Sequence, residues 1–595
     1  MPLMGNLYIG SSGLQTSQNA LNTTAHNLSN TDTVGYVRQQ VQQSNKSYLK
    51  ISIDPKSINN KQTGLGVTYS RVKHIRDEFL DKMYRRESGR SMFYEVSAET
   101  LEEVESQLGE MNGRAFQNTI TDYWTAIQEL AKDPASSVTQ GLLVQRAAEL
   151  VQRAEAVYGG LSAYQDNLNA QVKSQVDKIN SYGKQLLALN EAIRTVEAGG
   201  VEMANDLRDT RDFIIDEMSK MVDINYGEDI NGSVWVQIEG MDFVKGDSCY
   251  EIGLYTDHDT GFYTPFWYQN AKYVTAPDGT KTYTKESIQG AEVFDLTRPI
   301  SSDLNTDIGG LKAIMWARGD HRADYTDMTP EKYDGVSQSV IMNIQAEFDQ
   351  LIHLIATKVN SVLGEAAGVK VAQSDILASD GVTVLVKKGE SYCENDVGGY
   401  MRRDDGSPIQ MFAKTASDGY RKVTGQITRT DENGNPVTED VEFWVYNEED
   451  PADPDSLYNI KNLKVDDELM QKPSMLGMRL PDGSEDKATA EALKGAFTEE
   501  SYKLNPNVEK STTFVDYYSD LVSQVANTGY VFSSIYTNQA NAVESINSAR
   551  EQVIGVSTDE ELSNMIKFQN AYNASSRYIN VIDQMLEHIL NTLGA

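Results

Sequence analysis

Cysteine is almost missing from this 595-residue chain: Cys249 and Cys393 stand far apart and neither sits in a Cys-x-x-Cys pair. That excludes a Cys-rich zinc site and a disulfide framework. A single bridge between the two stays open at this stage, and the expectation is two unpaired thiols. Histidine is scarce too. His26, His74, His258, His321, His353 and His588 include no His-x-x-x-His or His-Glu-x-x-His spacing, so the zinc-hydrolase pattern is absent. No Gly-x-Ser-x-Gly elbow and no Gly-x-x-x-x-Gly-Lys phosphate loop occurs. Positive charge is in deficit, with 53 Lys and Arg against 87 Asp and Glu and a formal net charge of −34. A nucleic-acid binder needs a basic face to meet phosphates, and an anionic membrane surface repels such a chain. No apolar run approaches the roughly 20 residues of a membrane span, and the mean hydropathy is −0.47. Low-complexity tracts and short-period repeats are lacking. The start, Met1-Pro2-Leu3-Met4-Gly5-Asn6-Leu7, has neither the basic nor the apolar region of a secretory signal. The expectation is a cytoplasmic protein or one exported without a cleaved signal.

Three short stretches invite a chemical reading and fail it. Asp257-His258-Asp259 reads as a solvated turn rather than a metal site. Gly64-Leu65-Gly66 is too short for a dinucleotide fingerprint and reads as a tight turn into a strand at Val67-Thr68-Tyr69. In Asp431-Glu432-Asn433-Gly434-Asn435 the glycine stands fourth, whereas a calcium loop needs it sixth with a glutamate at the twelfth position. Carboxylates are abundant, and nothing marks one pair above another for acid–base work. No catalytic, cofactor-binding or metal-ligating residues are expected.

What the chain does have is helical periodicity at both ends. Leu7, Leu14, Leu21 and Leu28 recur every seven residues, a narrow stripe that fits one partner helix. The stripe stops at the turn formers Asn30-Thr31-Asp32-Thr33-Val34-Gly35, and Tyr36 to Val41 follows as a short strand. Gly555 breaks the chain, and Ser557 with Glu560, or Thr558 with Glu561, offers a capping box. Met565, Phe568, Tyr572, Ser575, Ile579, Ile582, Leu586, Ile589 and Leu593 then repeat at alternating three and four spacing. Further seams run from Leu143 to Leu168, from Val172 to Val196 after a stutter, from Ile341 to Val362 and from Leu521 to Val553, with a bend expected at Gly159-Gly160. They predict a bundle of long helices drawn from distant parts of the chain.

Two segments interrupt the helices with strand alternation. One, about 231–305, holds Val234-Trp235-Val236-Gln237-Ile238 and a hairpin around Pro277-Asp278-Gly279. The other, about 368–505, holds a hairpin of Val423–Thr428 with Val437–Tyr446, then a run from Asn447 to Pro454 expected to be an exposed acidic loop. The predicted class is α+β and multidomain: paired terminal coiled-coil helices, a long-helix bundle and two β-rich inserted domains. The divisions are 1–60 with 553–595, 61–230 with 306–367 and 506–552, 231–305, and 368–505. Narrow stripes at both ends favour assembly, because marginal helices need a partner. A cytoplasmic coiled-coil scaffold and an enzyme or adhesin housed in the inserts remain open.

Ser12-Gly13-Leu14, followed by Asn27-Leu28-Ser29-Asn30-Thr31-Asp32-Thr33-Val34-Gly35-Tyr36-Val37-Arg38-Gln39, resembles the N-terminal signature of the flagellar rod, hook and hook-associated axial family. Lys567-Phe568-Gln569-Asn570-Ala571-Tyr572-Asn573-Ala574-Ser575-Ser576-Arg577, after Gly555 to Glu561, resembles its C-terminal half. Arg38-Gln39, the Asn205-to-Asp212 segment and Ile308-Gly309-Gly310-Leu311 with Arg318-Gly319-Asp320 are similar to hook-associated members rather than to hook or rod subunits. Val37 stands where a small polar residue is usual. The resemblance covers about 1–225, 306–365 and 510–595 and leaves both inserts out.

The resemblance implies a non-enzymatic axial subunit at the hook–filament junction of an extracellular flagellum, needed for filament assembly and motility and exported by the type III apparatus without a cleaved signal. Its terminal helices would order on assembly as a coiled-coil inner domain. Implied partners are further copies in a ring, the hook protein, the next hook-associated protein and an export chaperone, with no nucleic acid and no membrane insertion. The implied assembly residues are Leu7, Leu14, Leu21, Leu28, Tyr36, Arg38, Tyr572, Ile579, Ile582, Leu586, Ile589 and Leu593. The implied chaperone contacts are Leu562, Met565, Phe568, Ile579, Ile582 and Leu586.

Overall fold

A computed structural model describes residues 2–33, 35–46, 49–50, 62–109, 115–200, 203–275, 281–380, 382–395, 401–430, 436–480 and 482–593. Helices α1 (Pro2–Ser29) and α13 (Thr558–Leu593) pair at the chain ends. Between them lie α2 (Glu78–Gly109), α3 (Phe116–Lys132), α4 (Ser137–Glu197), α5 (Asn205–Met221), the single turn α6 (Lys285–Ile288), α7 (Gly310–Arg318), α8 (Pro330–Val336), α9 (Val340–Ala366), α10 (Asp467–Gln471), α11 (Lys487–Thr498) and α12 (Phe514–Ile554). The N-caps are those the sequence favours: Ser136 accepts from the Val138 N–H, Ser339 from Met342 and Thr513 from Asp516.

Helix α4 is one rod of 61 residues, about 90 Å at 1.5 Å per residue. It runs unbroken through Gly159 and Gly160, against the expected bend. A side chain at Gly160 would run into Gln107 on α2, so the missing Cβ serves helix approach rather than bending. Leu143, Ala147, Leu150, Ala154, Leu161, Leu168, Val172, Ile179 and Leu186 are buried along one face, while Val196, the last residue of the predicted seam, is 42% exposed. Among the long helices α9 is the most enclosed, with Ile341, Ile344, Phe348, Leu351, Ile355 and Val359 all buried. Helix α2 carried no readable seam because much of its buried face is small or polar: Asp81, Arg85, Ser88, Gly89, Ser91, Ser97 and Thr100.

The strand-rich stretches lean on these helices. The first starts at Ile224, ahead of the predicted boundary, as an antiparallel sheet ordered Ile224–Glu228, Val234–Ile238, Met241–Lys245, Ser248–Cys249. Val236, Ile238, Phe243, Ile252 and Trp267 share one continuous core with α4. Val274–Thr275 pairs with Lys281–Thr282, as the hairpin reading expects; its turn lies outside the described residues. The second stretch holds a six-stranded antiparallel sheet, ordered Val369–Val371, Ser391–Glu394, Pro436–Tyr446, Tyr420–Thr430, Ile376–Ala378, Val384–Val386. That sheet has its own small core of Ile376, Val386, Ile427, Phe443 and Val445. The Asp431–Asn435 turn of its long hairpin lies outside the described residues. Residues 401–412 and 457–504 instead join the main core through Met411, Phe412, Tyr458, Leu469 and Phe497. The acidic stretch after Asn447 is not wholly free: Glu449 accepts from the Tyr325 hydroxyl and the Tyr458 N–H, both at 2.7 Å.

Asparagines on the helices hold the strands. Asn190 accepts from the Val234 N–H at 3.0 Å and donates to the Val234 carbonyl at 2.8 Å. Asn180 does the same to Ile252, and Asn360 to Phe412. Asn169 accepts from Tyr263 and donates to Gly261. A primary amide offers one acceptor and one donor edge, so each replaces one rung of a sheet. Cys249 and Cys393 are both free thiols.

Two carboxylates are fully enclosed on α9. Burial pushes Glu347 up to about 7 despite bonds from Asn505 and Gln524, and pushes Asp349 up to about 7 despite accepting the Ile460 and Tyr325 N–H groups. Folded-state values raised above the unfolded ones mean stability that is complete below the unfolded value and lost as pH rises through about 7. Chemical denaturation should therefore show the chain less stable at about pH 8 than at about pH 5.5, with Glu347→Gln flattening that slope. Asn190→Leu should cost ~1–3 kcal/mol in the same assay, because it leaves both backbone groups of the buried Val234 unpaired.

Candidate functional site

The segments that carry the family resemblance meet at one place, the joint where the terminal coil sits on the helical layer. Asn27, in the last turn of α1, clamps Gln39 by accepting its N–H at 3.0 Å and donating to its carbonyl at 2.8 Å. Between them the chain turns through Gly35, whose φ of +82° suits glycine and whose backbone lies against the Phe213 ring on α5. Tyr36 folds back so that its hydroxyl donates to Asn27 Oδ1 at 2.8 Å and meets His26 Nδ1 at 2.9 Å. Burial, then the charges of Asp206 and Asp209, raise that phenol well above its ordinary value, so it stays protonated.

The C-terminal half locks onto the same turn. Arg38 donates its backbone N–H to the Ile554 carbonyl at 2.9 Å and pairs with Glu560 at 2.8 Å and Glu561 at 2.9 Å. Glu561 is 2% exposed and also accepts from Asn27. The expected capping box is half made: Ser557 caps the Glu560 N–H, but the Glu560 carboxylate goes to Arg38 instead of turning back. Helix α13 thus starts where α1 ends.

Helix α5 supplies the floor. Val37 is buried and donates its N–H to Asp209 at 3.1 Å, and Gln39 donates to Asp206 at 3.2 Å. His74 lies 3.5 Å from Asp209, yet this is no ion pair at neutral pH. Burial and then Arg76 push His74 down to about 4, while burial pushes Asp209 up to about 7. Beside them runs a ladder of alternating charge. Arg76 bonds Asp81 at 3.0 Å and also Asp212; Arg85 bonds Asp216 at 2.6 Å; Arg550 spans Asp81 at 2.7 Å and Asp216 at 2.6 Å. Burial alone would raise Asp216, but Arg85 and Arg550 outweigh it and hold it below its ordinary value. Arg85 lies over the Tyr226 ring and Arg550 over Tyr84. The ladder joins α2, α5 and the end of α12, the last helix before the Gly555 break. Sequence reading missed Asp81, Arg85, Asp216 and Arg550, because charged residues on a helix read as a solvated face; the three-and-four spacing of Asp209, Asp212 and Asp216 on α5 was the available signal.

The terminal pair itself is built on small residues. The buried face of α1 is Gly10, Ser12, Thr16, Ser17, Ala20, Thr24 and Asn27, and Gly10 and Gly13 let Ile579 and Ser575 of α13 come close. Leu7, Leu14, Leu21 and Leu28 flank this face and are only half-buried, as are Tyr36, Arg38, Tyr572, Ile579, Leu586 and Ile589. Ile582 is buried, Met565 and Phe568 are half-buried, and Leu562 is 43% exposed. The side chain of Leu593 lies outside the described residues. Arg318, in the other resembling motif, is a buried anchor that donates to Asn169 at 2.6 Å and to the Tyr263 carbonyl at 3.0 Å. Among the described residues no group of His, Cys, Asp and Glu could hold a metal ion.

Comparison with known proteins matches this anatomy segment by segment. Residues 101–374 match the model described as flagellar hook-associated protein FlgK helical domain. Residues 7–36 match flagella basal body rod protein, and 553–592 match flagellar basal body rod FlgEFG protein C-terminal. The flagellar hook-associated protein 1 of Bacillus subtilis is 24% identical over 98% of this chain and 96% of its own length. That of Salmonella typhimurium is 23% identical over 98% of both. The chain belongs to the flagellar hook-associated protein 1 family. A solved flagellar hook junction protein FlgK from Burkholderia pseudomallei superposes with a TM-score of 0.47 at 14% identity, covering 80% of this chain and all of that one. The family is a structural one of the flagellum, and the residues of its signature are here the residues of the joint.

Replacing Arg550 with Ala leaves Asp81 and Asp216 short of a cation and should cost ~3–5 kcal/mol, read by denaturant unfolding. Gly10→Val should separate α1 from α13 while sparing the bundle, read as faster proteolysis confined to residues before about 40 and after about 555.

Proposed function

We propose that the chain is the axial subunit that forms the junction between flagellar hook and filament, and that it works by assembly rather than by catalysis. The observation that carries the reading is the surface of the paired ends. Ala571, Ala574, Tyr578, Val581 and Met585 make an exposed apolar stripe on α13 at three-and-four spacing, beside the seam that faces α1. A second exposed face presents Asn570, Asn573, Asn580, Gln584 and Asn591. Helix α1 has no Asp, Glu, Lys or Arg in its 28 residues. A two-helix coil with an uncovered apolar stripe and almost no charge on one helix is an unfinished interface, and copies of itself in a ring would complete it.

Leu7, Leu14, Leu21 and Leu28 on one helix and Tyr572, Ile579, Ile582, Leu586, Ile589 and Leu593 on the other form the coil and its margins, while Tyr36 and Arg38 set its angle to the layer beneath. We place the inner coil at 1–60 with 553–595, the helical layer at 61–230 with 306–367 and 506–552, and the β-rich inserts at 231–305 and 368–505. The chain reaches the cell exterior through the flagellar type III apparatus, and no helix of the described residues is long and apolar enough to cross a membrane. Before export, a chaperone holds Leu562, Met565, Phe568, Ile579, Ile582 and Leu586, since an open coil exposes that seam to aggregation. Hook protein below and the next hook-associated protein above are its neighbours. Its relatives carry the name flagellar hook-associated protein 1, which supports this placement.

Deleting the chain in its own bacterium should leave hooks without filaments by electron microscopy and flagellin shed into the medium. Normal filaments would overturn the junction role.

A further inference from the structure

The charge of this protein is distributed unevenly. Between Arg38 and Lys73 the sequence holds seven Lys or Arg and one acidic residue, Asp54, in a chain of net charge −34. The described part of that segment is a two-stranded antiparallel ribbon, Gln39–Asn45 with Val67–His74, lying against α1. Its register sets Gln42 opposite Arg71 and Gln40 opposite Lys73, so alternation puts all four on one face. That face is exposed and continues to Lys46. Arg38 and Arg76, at the two ends, are already paired with carboxylates. Lys46, Arg71 and Lys73 are in none of the described ion pairs, and Arg71 donates to the Gln42 amide oxygen at 3.3 Å.

The complementary surface lies on the same chain. Glu95, Glu99, Glu102 and Glu103 fall within one arc of α2. Like charges three and four residues apart on a helix repel, and none of the four is in a described ion pair. Glu99 and Glu102 are exposed. Burial, then Glu95 and Glu102, raise the Glu99 carboxyl above its ordinary value.

Resting on the assembly reading above, we propose that the basic face of the ribbon docks on the acidic α2 strip of a second copy, a head-to-tail contact that repeats around the axial structure. Such a contact joins two different surfaces and so generates a ring or a helix rather than a closed pair. Long-range attraction of opposite patches sets orientation and register more than affinity, while the exposed apolar stripe of the terminal coil supplies the apolar contact.

The test uses the full chain in cells lacking their own copy, with Lys46→Glu plus Lys73→Glu, Glu99→Lys plus Glu102→Lys, and all four together. Isolated flagella are treated with a zero-length carbodiimide, which joins an amine to a carboxylate only in direct contact, and linked peptides are identified by mass spectrometry. The native chain should give dimer-sized bands with Lys46 or Lys73 joined to Glu95, Glu99, Glu102 or Glu103. Each double reversal should lower those bands and the filament count by ~3-fold or more, and the fourfold variant should restore both. Equal secretion of all variants controls for folding. Dimer bands that persist in Lys46→Glu/Lys73→Glu, a fourfold variant that restores nothing, or links from these lysines to another protein's carboxylates would each overturn the contact. Filament loss on deletion with normal filaments in the charge variants sinks the ribbon contact alone; normal filaments on deletion sink the junction reading.

Discussion

A side-chain amide on a helix, bonded to both backbone groups of an extended segment, is the interaction on which this architecture depends. Asn190, Asn180 and Asn360 grip Val234, Ile252 and Phe412, and Asn169 bridges Gly261 and Tyr263. Asn27 grips Gln39 in the same way at the joint. Strands packed on a helix usually offer it side chains alone. Here the helix also satisfies backbone groups that would otherwise be buried unpaired, at ~1–3 kcal/mol each. The contact fixes register as well as position, because only one residue of the strand can present its N–H and carbonyl to a given amide. The first β-rich stretch is therefore an extension of α4 rather than a separate bead, and its buried residues run into the same core.

The joint works by a different device. Within the helical layer, α2, α5 and the end of α12 are tied by the ladder from Arg76 through Asp81, Asp212, Arg85 and Asp216 to Arg550. Desolvating these ions is costly, and the alternation of sign along the ladder offsets that cost. A charge ladder is directional where an apolar seam is not, so it fixes how α2, α5 and the end of α12 sit against one another just before the Gly555 break. The Asn27–Tyr36–Arg38–Glu561 cluster then ties α1 and α13 to the end of that layer. Both ends of the chain are thereby bound to one floor, α5, before any neighbour arrives.

The terminal coil follows a third rule. Its helices approach through Gly10, Gly13, Ala20 and short hydroxyl side chains, leaving leucines at the margin and an apolar stripe on α13 open to solvent. Close backbone approach through small residues gains dispersion contact but buries little apolar area, so the pair is weak alone. Weakness in the free chain and completion by neighbours are two views of that single choice of residues.

Sequence periodicity was enough to determine that long helices dominate, that both ends are narrow-striped helices and that strand-rich segments interrupt the middle, because a heptad stripe or a period of two is written locally. The helices α4, α9, α12 and α13, the long hairpin and the terminal turn were legible for that reason, and so was the family. Tertiary structure alone decided the rest. Helix α4 runs on through Gly159 and Gly160, and Gly160 lies against Gln107 of α2, a neighbour that periodicity cannot see. Helix α2 hid because residues buried against α5 and α12 are small or charged, and a buried Arg85 looks like a surface arginine until Asp216 is placed 2.6 Å away. The leucines of α1 mark its apolar face, while Gly10 and Gly13 beside them are where α13 comes closest: a stripe shows which face is apolar, and only packing shows where a partner can approach most closely.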